Sequence, residues 1–213
     1  MSDRATALLR RVVDVRAEEI RTVLWAAVYS FFLLASFYLL RPLREEMGVA
    51  GGIKNLPWMF TGTWVATLLF SPFFGYLVSR YARRRFIPYA YRFFLGNLLV
   101  FFVLFRVTEG AAHLGVARAL YIWVSVYNLF VVAVFWGYMA DIFTSEQGKR
   151  LFGFIGVGGT LGAIAGSGFT TSAVKSIGAT ALLLVAAVMV EASLFAFRRI
   201  DRVAPTAPTP IAA

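Results

Sequence analysis

The sequence contains no cysteine and only one histidine. Disulfide bonds, zinc–thiolate sites and thiol catalysis are therefore excluded. The sequence also has no nucleophile beside a general base, no cluster of metal ligands and no phosphate-binding glycine loop after a strand. We predict that the chain is not an enzyme and that it uses neither a cofactor nor a metal ion.

Charged residues are scarce, at 15% of the chain, whereas 60% of the residues are hydrophobic and the mean hydropathy is +0.73. A water-soluble domain of this composition would aggregate, so the sequence predicts an integral membrane protein in contact with the lipid bilayer. A net charge of +10 favours nucleic acid as a partner in a soluble protein. Here the basic residues cluster between apolar runs, where membrane orientation explains them, and we expect no nucleic-acid partner.

Six apolar runs are each long enough to cross about 30 Å of hydrocarbon at about 1.5 Å per residue. They lie at roughly residues 20–40, 55–79, 86–107, 117–140, 151–173 and 179–197. We predict an all-α, polytopic fold whose six-helix transmembrane domain covers residues 20–200. Residues 1–19 are predicted to form an amphipathic surface helix, with a solvated tail as the alternative. Residues 201–213 are rich in proline and are predicted to form a cytoplasmic tail or linker.

Basic residues are distributed unequally between the two sides of the predicted bundle. Residues 75–85 form a short link that carries four arginines, which are costly to translocate, so this link is predicted to be cytoplasmic. Fourteen arginines and lysines fall on that side and six on the other. Both termini are therefore expected in the cytoplasm. Abundant arginine and alanine fit a GC-rich bacterial genome, so the predicted location is a bacterial inner membrane.

The outer end of the first span carries a group of polar residues. Arg41 and Arg44 lie one helical turn apart and could hold an anion, with Tyr38 and Glu45 on the same face as Arg41. Pro42 is expected to interrupt the helix there and to open a cavity. The alternative is that both arginines extend to the outer headgroups.

Four polar residues lie inside other spans. Asn97 and Asn128 fall near the midplane, where an amide either bonds a neighbouring helix or lines a cavity. Arg92 and Glu191 each lie roughly 10 Å from the cytoplasmic side, and we predict that they form an ion pair or that Arg92 extends to the headgroups. A proton-relay role for Glu191 is a further alternative. His113 is expected to be exposed in a short outer loop.

The fifth span carries a glycine stripe, because Gly158, Gly162 and Gly166 recur every four residues. Such a stripe allows two helices to approach closely. The partner helix is either within the same bundle or in a second six-helix unit, and the stripe could also let the helix bend during transport. Local signals predict a helix start at Asn55 before Pro57, a glycine turn at residues 48–52 and a capping box at residues 144–147.

These residues resemble the major facilitator superfamily of transporters. One segment is similar to the superfamily signature G-x-L-x-D-R-x-G-R-R, namely Gly75-x-Leu77-x-Ser79-Arg80-x-Ala82-Arg83-Arg84. Ser79 stands in place of the acidic residue of the signature, and Ala82 in place of its second glycine. The glycine-rich fifth span is similar to the superfamily's fifth-helix motif. The resemblance implies the amino-terminal six-helix half of a transporter. A copy of the chain, a partner polypeptide or a longer gene would supply the second half, and the substrate would lie between the halves.

Within that superfamily, three segments are similar to the nucleotide-transporter branch, which includes the ATP/ADP exchangers. They are Tyr38-Leu-Leu-Arg41-Pro-Leu-Arg44-Glu45, Phe135-Trp136-Gly137 and residues 147–153. The resemblance implies that Arg44 stands where the exchangers carry a substrate-contacting lysine and Glu45 where they carry an aspartate. The fourth span has Asn128 instead of their acidic residue. The implied function is antiport of a small, nucleotide-like anion by alternating access. The alternative is a membrane interaction or sensor protein that transports nothing.

Overall fold

The computed structural model describes residues 15–50 and 55–203, apart from the side chain of Arg83. These residues form six helices, α1 Ile20–Ala50, α2 Leu56–Arg80, α3 Arg83–Val107, α4 Gly110–Ile142, α5 Ser145–Ile177 and α6 Ala181–Val203. Each helix is long and apolar enough to cross a membrane. The predicted all-α fold with six spans is confirmed, and the six apolar helices indicate a multi-pass membrane protein. Most of the predicted amphipathic segment, the glycines at 51 and 52 and most of the proline-rich tail lie outside the described residues.

Two of the predicted helix starts are confirmed. Asn55 immediately precedes α2, and Pro57 lies in its first turn. At the start of α5, the backbone N–H of Gln147 donates to Thr144 Oγ1 over 3.3 Å, and the backbone N–H of Thr144 donates to Gln147 Oε1 over 2.9 Å. This reciprocal capping box satisfies two backbone donors that a helix start otherwise leaves unpaired. At the other end of α5, Gly178 adopts a φ of 79°, which an L-residue rarely takes.

Three local predictions are wrong. Pro42 does not interrupt α1, which continues to Ala50, because only one backbone bond is lost while buried neighbours on both sides hold the helix in place. Gly48 is consequently a buried helical residue and not part of a turn. His113 lies in the first turn of α4, where its Nδ1 is 3.1 Å from the carbonyl oxygen of Thr108, and it is half-buried.

The core of the bundle forms around α1. This helix packs most extensively on α5, then on α6 and α4, while α3 packs between α6 and α4. Since spans alternate in direction, one side of the bundle holds the α2–α3 link at residues 81–82, and we call it the loop side. The opposite side, where α1 ends at Ala50, is called the far side.

The glycine stripe of α5 packs on α1 of the same chain. A Cβ added to Gly158, Gly162 or Gly166 would lie 2.5 Å or less from a backbone carbonyl oxygen of α1, that of Ala27, Phe31 or Ala35 respectively. The two residues of each pair are 131 positions apart in the sequence. Thr170 and Leu39 have the same separation, and Thr170 Oγ1 donates to the carbonyl oxygen of Leu39 over 3.0 Å. The stripe therefore fixes two parallel helices in one register. Because the stripe is occupied by α1, it is not available to a second six-helix unit.

Helix α2 is the least buried of the described helices. Met59 is its only buried residue, and it packs mainly on α4. Between α2 on one side and α3 and α4 on the other runs an apolar groove of about 1010 Å³. The groove separates α2 from the core and leaves most of its aromatic side chains exposed.

Candidate functional site

Arg44 is held on the far side of the bundle, between α1 and α4. Its Nε donates to Ser125 Oγ over 2.8 Å and to the carbonyl oxygen of Tyr121 over 3.4 Å. Its guanidinium carbon lies 4.1 Å from the centroid of the Tyr121 ring, a cation–π contact. Its Nη1 donates to Glu45 Oε1 over 2.6 Å. The side chain is only 17% exposed, so its position is set by α4 and its charge is balanced by Glu45.

Gly48 allows the Tyr121 ring to reach this position. A Cβ at Gly48 would lie 2.9 Å from Tyr121 Cε2, so a larger residue would displace the ring on which Arg44 rests. The rings of Phe60 and Tyr121 also pack in a T-shaped arrangement, with ring centroids 6.0 Å apart. Residues of α1, α2 and α4 thus together fix the position of the Tyr121 ring on which Arg44 packs.

Arg41 lies one turn closer to the middle of α1 than Arg44, and Tyr38 nearly two turns closer. The Arg41 guanidinium lies 5.6 Å from the centroid of the Tyr38 ring and is exposed, whereas Tyr38 is half-buried. Glu45 is 58% exposed. The predicted group therefore divides into an anchored cation, Arg44, and two exposed charges of opposite sign beside it.

The two asparagines that were predicted near the midplane lie in different helices, Asn128 in α4 and Asn97 in α3, and face different parts of the bundle. Asn128 is one turn from Ser125 and shares the helix face of Tyr121 and Ser125, so it continues the site toward the middle of the bundle. Asn97 lines the apolar groove and donates from Nδ2 to the carbonyl oxygen of Phe93, one turn back in its own helix, over 2.8 Å. Both asparagines were candidates to line the substrate cavity, and of the two only Asn128 lies on the Arg44 side.

The predicted ion pair between Arg92 and Glu191 is wrong. Helices α3 and α6 pack together, but both side chains are exposed and no contact between them is present. The reason is the phase of each helix: the packed face of α3 carries Ile87, Tyr91 and Leu98, and Arg92 points away from it. Glu191 likewise lies on the outer face of α6.

The residues of the arginine motif at the α2–α3 link differ in their location and exposure. Gly75 and Arg80 are exposed in α2, and Arg83 and Arg84 begin α3. Arg84 Nε lies 2.7 Å from Asp201 Oδ1, which joins the start of α3 to the end of α6. Because both side chains are about one-third exposed, this ion pair contributes at most about 1 kcal/mol.

A cluster that the sequence did not reveal joins α1 to α5 on the loop side. Glu19 is only 5% exposed and accepts from Gln147 Nε2 over 2.8 Å and from Arg150 Nη2 over 3.1 Å. Burial raises the pKa of Glu19, but these donors and the backbone N–H of Arg16 outweigh it and hold the pKa below its usual value. Glu19 thus stays ionised and fixes the α1–α5 register at this end. The signal in the sequence was faint, since Glu19 lies in an ordinary mixed-charge segment.

Hydroxyl groups inside the bundle were also missed. Tyr29 Oη donates to Tyr91 Oη over 2.5 Å, and Ser36 Oγ lies 2.5 Å from Tyr127 Oη. Both pairs are buried and join α1 to α3 and to α4. Their sequence signal is the recurrence of tyrosine in otherwise aliphatic spans, which does not show whether a hydroxyl faces the core or the lipid.

Fold and site together define a multi-pass membrane protein with a partly buried arginine between two helices on the far side. No protein-family model, curated protein or solved structure matches the chain.

Proposed function

We propose that this chain is one six-helix half of a secondary transporter that moves a small anionic solute by alternating access, with a nucleotide-like solute as the first candidate. The observation that carries the proposal is the anchored guanidinium of Arg44. Ser125 and Tyr121 hold one edge of it, and among the described residues its Nη1 is engaged only by the exposed carboxylate of Glu45. A guanidinium oriented in this way can receive an oxyanion through charge-assisted hydrogen bonds.

Glu45 supports an exchange mechanism. Its carboxylate occupies Nη1 as an anion of the solute would, and at 58% exposure it can swing away without leaving a buried charge behind. Glu45 and Glu46 also follow Arg41 and Arg44 in the chain, so the site carries no large net charge when it is empty. An arriving anion would displace Glu45 from Arg44 and gain Arg41 as a second cation.

A single six-helix unit provides one wall of a transport path. In transporters built from repeated units, the solute lies at the interface between the units and each side of the membrane gains access in turn. The faces of α1 and α4 that hold Arg44 and Asn128 would line that path. A copy of this chain or a partner polypeptide would form the other wall.

Equilibrium binding of ATP, ADP and inorganic phosphate to the purified protein tests the site. Loss of a charge-assisted hydrogen bond of about 1.5–3 kcal/mol predicts that Arg44→Gln weakens binding about tenfold to a hundredfold. Glu45→Gln should tighten binding, because it removes the competing carboxylate. Arg106→Gln is the matched control: Arg106 is exposed at the far-side end of α3 and contacts only the Phe102 ring among the described groups, and its loss should leave binding unchanged.

The tightening by Glu45→Gln separates a solute site from a structural role of Arg44. If Arg44 only tied α1 to α4, loss of Glu45 would leave anion binding as it was. Anion binding that is equal in the wild type, Arg44→Gln and Arg106→Gln proteins would refute the site.

A further inference from the structure

Arg92 and Glu191 are the only charged residues that lie well inside an apolar span and away from its ends. The structure exposes both side chains, and neither has an ion-pair or hydrogen-bond partner within residues 15–50 and 55–203. Two isolated charges of opposite sign therefore lie on the outer surface of adjacent helices, α3 and α6.

The two charges lie at nearly the same depth. The ion pair between Arg84 and Asp201 sets a common level for α3 and α6 on the loop side. From that level, Arg92 is eight residues along α3 and Glu191 is ten residues back along α6, which is about 12 Å and about 15 Å at 1.5 Å per residue. Their depths thus differ by about 3 Å, and both fall within the hydrocarbon core, which is about 30 Å thick.

The surface around these charges is apolar. Val188 on α6 is 61% exposed and Phe195 is 50% exposed, and Leu99, two turns beyond Arg92 on α3, is 41% exposed. Hydrocarbon chains suit such side chains but not a carboxylate or a guanidinium, each of which costs several kcal/mol at this depth. Arginine can extend toward the headgroups, but the shorter glutamate side chain reaches much less far. A cation at its own level would therefore stabilise the carboxylate of Glu191 in particular.

We propose that the α3–α6 face is a docking surface for a second copy of this chain, in which Arg92 of each copy pairs with Glu191 of the other. When two copies are related by a two-fold axis along the membrane normal, every contact between them occurs twice, and each residue lies at the same depth in both copies. Only opposite charges at equal depth can pair across such an axis, and Arg92 and Glu191 meet that condition. This face lies on α3 and α6, so docking leaves the α1–α4 side open for the other transporter half. The inference does not depend on transport.

Cross-linking between single cysteines can test this surface, because the chain has no cysteine of its own. Val188→Cys places a thiol beside Glu191, and Ile164→Cys places one on an equally exposed position of α5, away from the docking face. With a bismaleimide in lipid nanodiscs or native membranes, Val188→Cys should give a cross-linked dimer and Ile164→Cys should not. Equal cross-linking at both positions, or none at Val188→Cys, would overturn the proposal.

Charge reversal then identifies the pair. In the Val188→Cys background, Arg92→Glu alone and Glu191→Arg alone should each reduce cross-linking at least tenfold. An equal mixture of the two should restore it, because each copy then supplies the charge that the other needs. If the mixture fails but one chain carrying both reversals recovers, the pair forms within one chain and the proposal is wrong. Arg106→Glu, at the end of α3, should leave cross-linking unchanged.

Discussion

The buried tyrosine hydroxyls differ in the bonds that they make. Tyr91 Oη accepts from Tyr29 Oη and donates toward the carbonyl oxygen of Val131 over 3.4 Å, so it joins three helices. Tyr138 is 1% exposed, and its hydroxyl has no hydrogen-bond partner among the groups that the structure describes. Two residues of the same type therefore contribute differently to the stability of the bundle.

Replacement of each by phenylalanine should reveal this difference. Tyr91→Phe removes a hydroxyl that is bonded on both sides and should lower the free energy of unfolding by about 1 kcal/mol. Tyr138→Phe removes a hydroxyl without a protein partner and should leave that free energy unchanged or raise it. Unfolding of the detergent-solubilised protein in a denaturant series measures both, and a larger loss for Tyr138→Phe than for Tyr91→Phe would contradict the assignment.

Charged residues of the candidate site could be predicted from the sequence, but their partners could not. Arg44 and Glu45 stand out because charges are rare in and beside apolar spans. Tyr121 and Ser125 carry no such mark, and their role depends on the rotation of α4 against α1. For Arg92 and Glu191 the depth in the span was predictable, but the rotation of α3 and α6 about their own axes, which turns both side chains outward, was not.

The pairing of α1 with α5 is the strongest relation between two elements of this fold. From Glu19 and Arg150 to Leu39 and Thr170 the two helices keep one offset of 131 residues over about 30 Å. The glycine repeat predicted a close helix contact, and the structure shows one. The identity of the partner could not be predicted, because the complementary surface of α1 consists of backbone carbonyl groups that every helix has.

Gly162→Ala tests whether that close approach holds the bundle together. The new Cβ would overlap the carbonyl oxygen of Phe31, and a shift of either backbone should cost about 1–3 kcal/mol of unfolding free energy. Gly156→Ala is the control on the same helix, because its Cβ would meet open space and alanine favours the helix by up to about 1 kcal/mol. Thermal unfolding in detergent compares the two, and equal stability of both variants would show that the α1–α5 contact can relax.

The whole molecule is a bundle with one loosely attached helix. Length and hydropathy were enough to predict six spans, since each backbone group within a membrane must be bonded inside its own helix. They did not predict that α2 stands away from α3 across an apolar groove of about 1010 Å³. Helices in lipid gain no hydrophobic free energy by packing together, so composition does not reveal which of them associate.

The most direct test of the proposed function is an exchange assay in proteoliposomes that contain the purified chain. The vesicles are filled with unlabelled ATP or phosphate, and the uptake of labelled ADP, or of labelled inorganic phosphate in a parallel experiment, is measured. Uptake should depend on the internal anion, should fall at least tenfold in Arg44→Gln and should persist in Arg106→Gln. Anion binding by the purified chain without any exchange would contradict a carrier assembled from copies of this chain and would indicate a membrane sensor instead.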